Sequence, residues 1–219
     1  AALATIAAKK LNRAVKFRPD RDEDMTATGK RHDFRVDYNL GFDDEGRIHA
    51  VEATFAARCG FSADLSGPVT DRALFHADSS YFYPHVRFAS KPLKTHTVSN
   101  TAFRGFGGPQ GLIAGERFIE DIAYAVGKDP LEIRKLNFYG QPGSGRTLTP
   151  YHQEVADNII ARVVAELEES TDYQARRKAI IAYNKTSPVL RKGIALTPVK
   201  FGISFTMTAF NQAGALVHI

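Results

Sequence analysis

The residues best suited to chemistry fall in one short stretch, RGFGGPQG at 104–111. Gly105, Gly107 and Gly108 let the backbone bend sharply and let a ligand approach its N–H groups. A helical pattern starts directly afterwards, so its unpaired N–H groups and dipole favour an anion. Pro109 suits the first turn of that helix, and Arg104 adds positive charge. The spacing is neither the dinucleotide fingerprint nor the P-loop, so neither of those cofactors follows. A plain strand-to-helix turn reads the same residues without any ligand. Arg72, in DRALFHAD, offers a permanent positive charge, although its local pattern suits a solvated surface arginine. Phe106 lies inside the glycine loop, where it either faces a ligand or anchors the loop in a core. Phe201, Ile203 and Phe205 share one face of a strand pattern, for which core packing is the default. Thr206 offers a hydroxyl at the end of that pattern.

Other candidates carry less. The seven histidines show no metal-ligand spacing. DRDED (20–24) reads as a solvated loop, and QARRKAI (174–180) as an exposed helix face with little claim to bind nucleic acid. Asn184-Lys185-Thr186 matches a glycosylation acceptor, but nothing suggests secretion. Cys59 reads as a buried, inert thiol near a strand end.

The elements that must position these residues mix strands and helices. Residues 1–12 read as a helix, 14–18 as a short strand and 19–33 as a polar loop. Phe34, Val36, Tyr38, Leu40 and Phe42 alternate with polar residues, the mark of a half-buried strand. DDEG (43–46) supplies a turn, and 47–60 returns as a hairpin partner, apolar on both faces and so deeper in the sheet. Residues 61–98 look irregular apart from a short helical pattern at DRALFHAD (71–78). A helix then carries Leu112, Gly115, Ile119, Ile122 or Ala123, and Val126 on one stripe, with Gly127 as its stop. Asp129 and Pro130 cap a second helix over 130–139. Residues 141–150 form a loop, 153–169 a long helix and 173–184 another. Residues 192–206 and 211–219 read as two final strands. Without regular βαβ alternation the fold class is α+β, in mixed sheets with β-hairpins and packed helices.

Composition bounds the class. The chain has 219 residues, 43% hydrophobic and 24% charged, which excludes collagen, coiled coil and wholesale disorder. The net charge of +5 is spread along the chain and argues against a nucleic-acid partner. No apolar run approaches the ~18 residues of a membrane span. A single cysteine rules out an internal disulfide and a cysteine-bound iron–sulfur cluster within the chain, and it suits a cytoplasmic setting. The opening AALATIAAKK and the closing GALVHI both look like cuts through elements of a larger polypeptide.

At SNTAFRGFGGPQG (99–111) the chain resembles the molybdenum-binding part of the xanthine dehydrogenase/oxidase family. DRDEDMTATGKRHDF, DRALFHAD and KFGISFTMTAFNQAGALVHI match in order, so the resemblance covers essentially the whole chain. TAFRGFGG is shared with aldehyde oxidases, whereas the arginine of DRALFH leans toward purine enzymes.

The resemblance implies a molybdenum–molybdopterin cofactor and hydroxylation of a purine carbon by water. Electrons would pass through [2Fe-2S] clusters and FAD, in other parts of the enzyme, to NAD or oxygen. Arg104 matches the arginine whose backbone N–H lies beside the metal, and Gly105, Gly107 and Gly108 belong with it to the cofactor loop. Phe106 and Phe205 match two phenylalanines that sandwich the substrate ring. Thr206 matches a substrate neighbour, and Arg72 the arginine that stabilises charge on the purine. Phe106 and Phe205 are therefore expected to meet across a cleft. In such proteins the general-base glutamate lies beyond Ile219 and a second purine-binding glutamate before Ala1, so residues 1–219 alone are expected to be inactive. The expected partners are the iron–sulfur and flavin modules, in a homodimeric or α2β2 parent. An aldehyde-oxidising relative is the near alternative, and a non-catalytic anion-binding module the second. Within the segment, 1–140 and 151–219 form an expected subdivision.

Overall fold

A computed structural model of the chain describes residues 2–205, 209 and 211–218. Seven helices and three strands are assigned among them: α1 (Ala2–Leu11), α2 (Arg21–Ala27), β1 (Phe34–Phe42), β2 (Ile48–Gly60), α3 (Ser66–His76), β3 (His85–Lys94), α4 (Gly108–Val126), α5 (Pro130–Asn137), α6 (Ile160–Ser170) and α7 (Tyr173–Thr186).

The hairpin forms as its pattern predicts. β1 pairs antiparallel with β2 from Phe34↔Ala57 to Phe42↔Ile48, and its partly buried side chains alternate with exposed ones. β2 lies in the centre of the sheet, but only one of its faces is buried: Val51, Ala53, Phe55, Ala57 and Cys59 point into the core, whereas Ala50, Glu52 and Arg58 on the other face are exposed. Its other neighbour is β3, and that pairing is parallel. Parallel neighbours require a crossover, usually a helix, and α3 is that helix. The stretch 61–98 is therefore not irregular: the helical pattern at DRALFHAD belongs to a longer helix, α3, and β3 follows it. β3 escapes period-two detection because it is an exposed edge strand holding Pro92 and three lysines or arginines, residues that suit edges.

α4 and α5 start and stop where their signals place them. Gly127 terminates α4 at φ +69°, and the Asp129 carboxylate accepts the Leu131 N–H at 2.8 Å. α4 packs on α3 and on β1, burying Phe118, Ile119 and Ile122 against Val51, Ala53 and Phe55 in one core that also takes in Val164, Tyr173 and Leu196.

Five expected elements differ. Residues 14–18 have no strand assignment. The polar stretch 19–33 holds α2, because Asp20 and Glu23 make a reciprocal capping box: Asp20 Oδ1 accepts the Glu23 N–H at 2.8 Å and Glu23 Oε2 the Asp20 N–H at 3.1 Å. DRDED is thus a cap and first helical turn. The helix placed at 153–169 begins only at Ile160, because residues 147–155 fold back on themselves, Val155 N–H donating to Thr147 O at 2.8 Å and Thr149 N–H to Gln153 O at 2.9 Å. The two final strands are absent from the described residues, since 198–204 bonds to side chains of α3 and its C-terminal turn instead of to a strand ladder.

Asn137 joins the hairpin to α5. Its amide accepts the Ile48 N–H at 2.9 Å and donates to Gly46 O and Ile133 O, each at 2.9 Å, in full burial. Asn137→Ala leaves buried backbone groups unpaired at ~1–3 kcal/mol each, so a loss of roughly 2–4 kcal/mol is expected. Urea unfolding measures it; a loss below about 1 kcal/mol would show that the hairpin does not depend on this amide.

Candidate functional site

The glycine loop is shaped by the close approach of α3 and α4. A Cβ at Gly107, Gly111 or Gly115 would fall under 3.0 Å from the carbonyl oxygens of Val69, Ala73 and Ala77 respectively. Three glycines at four-residue intervals thus meet three backbone oxygens at four-residue intervals. The loop before α4 has positive φ at three successive residues, Gly105 (+91°), Phe106 (+53°) and Gly107 (+91°). A left-handed Phe106 costs roughly 1–2 kcal/mol. The turn is closed by Phe106 N–H to Phe103 O at 2.7 Å and Gly108 N–H to Gly105 O at 2.9 Å.

Arg72 is buried, 5% exposed, which corrects its reading as a solvated surface arginine. Burial depresses its pKa, although it remains a cation. Its Nη1 donates to Gly202 O at 2.7 Å and its Nη2 to Ser204 O, while its Nε is buried without a partner. One helical turn on, buried His76 takes part in the same docking. Its Nε2 accepts the Gly202 N–H at 3.0 Å, and its Nδ1 lies 2.9 Å from Arg72 O, an arrangement that requires the neutral Nδ1–H tautomer. The His76 ring also rests on Phe201, with centroids 4.6 Å apart. Phe201 in turn covers Gly108, where a Cβ would strike its ring.

Beyond α3, Ser79 Oγ donates to Pro198 O at 3.5 Å. Lys200 Nζ lies 3.0 Å from the buried Asp78 carboxylate, which also accepts the Tyr139 hydroxyl at 2.6 Å. Burial raises the Asp78 pKa, opposed by the Lys200 charge and the Tyr139 hydrogen bond. Arg72, His76, Asp78 and Ser79 thus hold the chain from Pro198 to Ser204.

That docking brings Phe205 to Phe106. Their ring centroids are 5.2 Å apart at an interplanar angle of 53°, and the Arg72 guanidinium carbon lies 5.7 Å from the Phe106 centroid. Asn211 grips the Phe205 backbone, accepting its N–H at 2.7 Å and donating to its oxygen at 2.9 Å. A flat ring between two phenyl faces needs a centroid separation of about 7 Å, twice the ~3.5 Å carbon contact. The pair here is therefore in mutual contact, and a sandwiched ring would have to part it. Thr206 lies outside the described residues.

Around the other side of the loop, Arg31 Nη2 donates to Arg104 O at 2.6 Å, and its guanidinium lies 4.4 Å from the Phe103 centroid. Arg31 Nη1 and Gln110 Oε1 are buried without partners. Among the described residues no group accepts from the Arg104 or Gly105 N–H. Unpaired donors and an unpaired acceptor beside an Arg104–Gly105 turn fit a polar, anionic cofactor such as molybdopterin. Gly107 and Gly108 already have a packing reason in Val69 and Phe201. Among the described residues no group of three His, Cys, Asp or Glu could hold a metal ion, and no helix is long and apolar enough to cross a membrane.

His76, Asp78, Lys200, Arg31 and Asn211 were not singled out in the sequence. His76 had a signal: it follows Arg72 by four residues on one helix face. Asp78–Lys200 and Asn211 had none, because their roles depend on tertiary contacts.

Gly111→Ala keeps helical geometry but drives a methyl into Ala73 O. Separating α3 from α4 is expected to cost about 1–3 kcal/mol, the usual overpacking penalty. Thermal unfolding checks this; an unchanged or raised midpoint would contradict the backbone contact.

A sequence family described as the molybdopterin cofactor-binding domain matches residues 1–138. Xanthine dehydrogenase of Dictyostelium discoideum is 43% identical over 99% of this chain, as is xanthine dehydrogenase/oxidase of Gallus gallus. The chain spans only 16% of the length of each. Among solved structures, the aldehyde oxidoreductase of Desulfovibrio gigas superposes with a TM-score of 0.72 at 28% identity, over 86% of this chain and 20% of that one. Quinoline 2-oxidoreductase of Pseudomonas putida gives 0.69 at 25% identity, over 84% and 24%. With its glycine loop, α+β architecture and these matches, the chain belongs to the molybdopterin cofactor-binding domain family.

Proposed function

We propose that this chain forms part of the substrate and cofactor site of a molybdenum hydroxylase that oxidises purines with water as the oxygen source. The observation that carries this reading is the Phe106–Phe205 pair, with the Arg72 guanidinium carbon 5.7 Å from the Phe106 centroid, next to the Arg104–Gly105 turn.

When bound, a molybdenum–molybdopterin group would supply the oxygen-transfer and two-electron chemistry. The chain's own residues bind and orient. The backbone N–H groups of Arg104 and Gly105, with Arg31 and Gln110 behind them, would hold the cofactor's polar edge. Phe106 and Phe205 would grip the two faces of a heterocycle by offset stacking. Arg72 brings a permanent positive charge to the edge of that slot. There it would favour negative charge developing on the ring, an interaction stronger in the transition state than in the bound substrate. The reading extends to partner modules with [2Fe-2S] clusters and FAD, to NAD as acceptor, and to a homodimeric or α2β2 parent.

A second reading has its own support. Both terminal nitrogens of Arg72 are taken up by Gly202 and Ser204. If they stay so during turnover, Arg72 only positions the slot, and an aldehyde substrate becomes the better assignment.

Arg72→Met in the full-length enzyme separates the two. Loss of a preorganised charge typically costs ~10²–10³ in rate. The ratio of purine to aldehyde oxidation should therefore fall by about that factor, with kcat falling along with kcat/KM. Equal losses toward both substrates would assign Arg72 to positioning alone, and an unchanged ratio at full activity would remove it from the site.

A further inference from the structure

We propose that His76 is a positioning residue of the aromatic slot: its neutral Nε2 holds the Gly202 backbone and thereby sets Phe205 opposite Phe106. This rests on the slot assigned above for its kinetic consequence, but not for its structural one.

Residues 198–205 are held by side chains from elsewhere in the chain. The segment has no helix or strand of its own. Four of its backbone polar groups are met by side chains from α3 and the turn after it: Pro198 O by Ser79, Gly202 O and Ser204 O by Arg72, and the Gly202 N–H by His76. Three of these contacts reach backbone oxygens and so require donors. Of the four, the His76 contact alone requires an acceptor. At Gly202 the segment is gripped on both sides of one residue, N–H and C=O, by two side chains one helical turn apart. Phe205 follows three residues later.

His76 meets that need in one protonation state. With Nδ1–H committed to Arg72 O, Nε2 is a bare acceptor. A proton on Nε2 would place N–H against N–H, breaking the contact and leaving two donors facing each other. Burial holds the His76 pKa below its usual value, and the charges of Arg72 and Lys200 hold it down further. Those two are the charged groups that face it, Arg72 from its own helix and Lys200 from the docked segment, where Lys200 is paired with Asp78. α4 meets this part of α3 through Gly111 and Gly115, which carry no ionisable group. The sign of the pH dependence follows. An undocked imidazole titrates near ~6.5 and the docked one lower. Docking is therefore strongest above about pH 6.5, weakens as pH falls toward the docked pKa, and levels off below it.

The test uses the full-length enzyme with His76→Phe and His76→Gln. Phenylalanine keeps the contact with Phe201 but has no acceptor; glutamine places a non-titrating amide oxygen where Nε2 lies. Hydrogen exchange of the peptide containing Gly202, read by mass spectrometry at pH 7.5, should be at least about tenfold faster in His76→Phe and near wild type in His76→Gln. KM for hypoxanthine should rise in the wild type as pH falls from 7.5 to 5.5, and this rise should be absent from His76→Gln. Exchange in His76→Phe equal to wild type would overturn the proposal. So would His76→Gln exchanging as fast as His76→Phe, which would leave ring packing as the sole role. If His76→Phe does not fold, the comparison of wild type with His76→Gln decides, and parallel pH profiles overturn the proposal. The exchange result stands whatever the substrate proves to be, so a failure of the purine assignment is distinguishable from a failure of the latch.

Discussion

The contact on which the site depends is backbone against backbone. Gly107, Gly111 and Gly115 of the α4 region lie on the carbonyl oxygens of Val69, Ala73 and Ala77, leaving no room for a side chain between the helices. Interiors are packed densely enough that such an approach admits no slack. It fixes α3 beside the loop that opens α4. Arg72 on α3 therefore lies close to Phe106, and the chain that Arg72 and His76 dock is brought to Phe106 as well. The left-handed backbone at Phe106 is a local cost sustained by this surrounding contact.

Phe205 is held without regular secondary structure. Residues 198–205 lack a ladder, so each polar backbone contact comes from a chosen side chain, and a single donor or acceptor carries what a strand would share among several. The buried Asp78–Lys200 pair adds a charged anchor two residues before Gly202. Breaking such a pair is costlier than never having it, because one charge remains buried alone. Asn211 secures the Phe205 backbone from the other side. The parted state that a sandwiched ring demands is thus reached against a set of discrete contacts around the slot.

Local patterning carried much of this into the sequence. The alternation of β1, the glycine stop of α4 and the Asp129-Pro130 start of α5 appear where their signals lie. α3 showed only its second half, as the helical pattern at DRALFHAD, and its role as the crossover between parallel strands comes from the sheet; β3 hides among charged edge residues. The strand pattern of KFGISF misled because Phe201 packs on Gly108 and His76 instead of on a sheet. Within the site, Arg72 and Phe106 drew notice by their type, but the burial of Arg72 and the roles of His76 and Lys200 come from contacts more than a hundred residues away in the chain.

The central claim is that the α3 docking contacts hold Phe106 and Phe205 as the two walls of a slot for a flat ring. A crystal structure of the full-length enzyme with a non-reacting purine analogue tests it most directly. The account predicts the analogue between the two rings, their centroids parted from 5.2 Å to about 7 Å, with His76 still bonded to Gly202. An analogue bound elsewhere, with Phe106 and Phe205 still in contact, would contradict it.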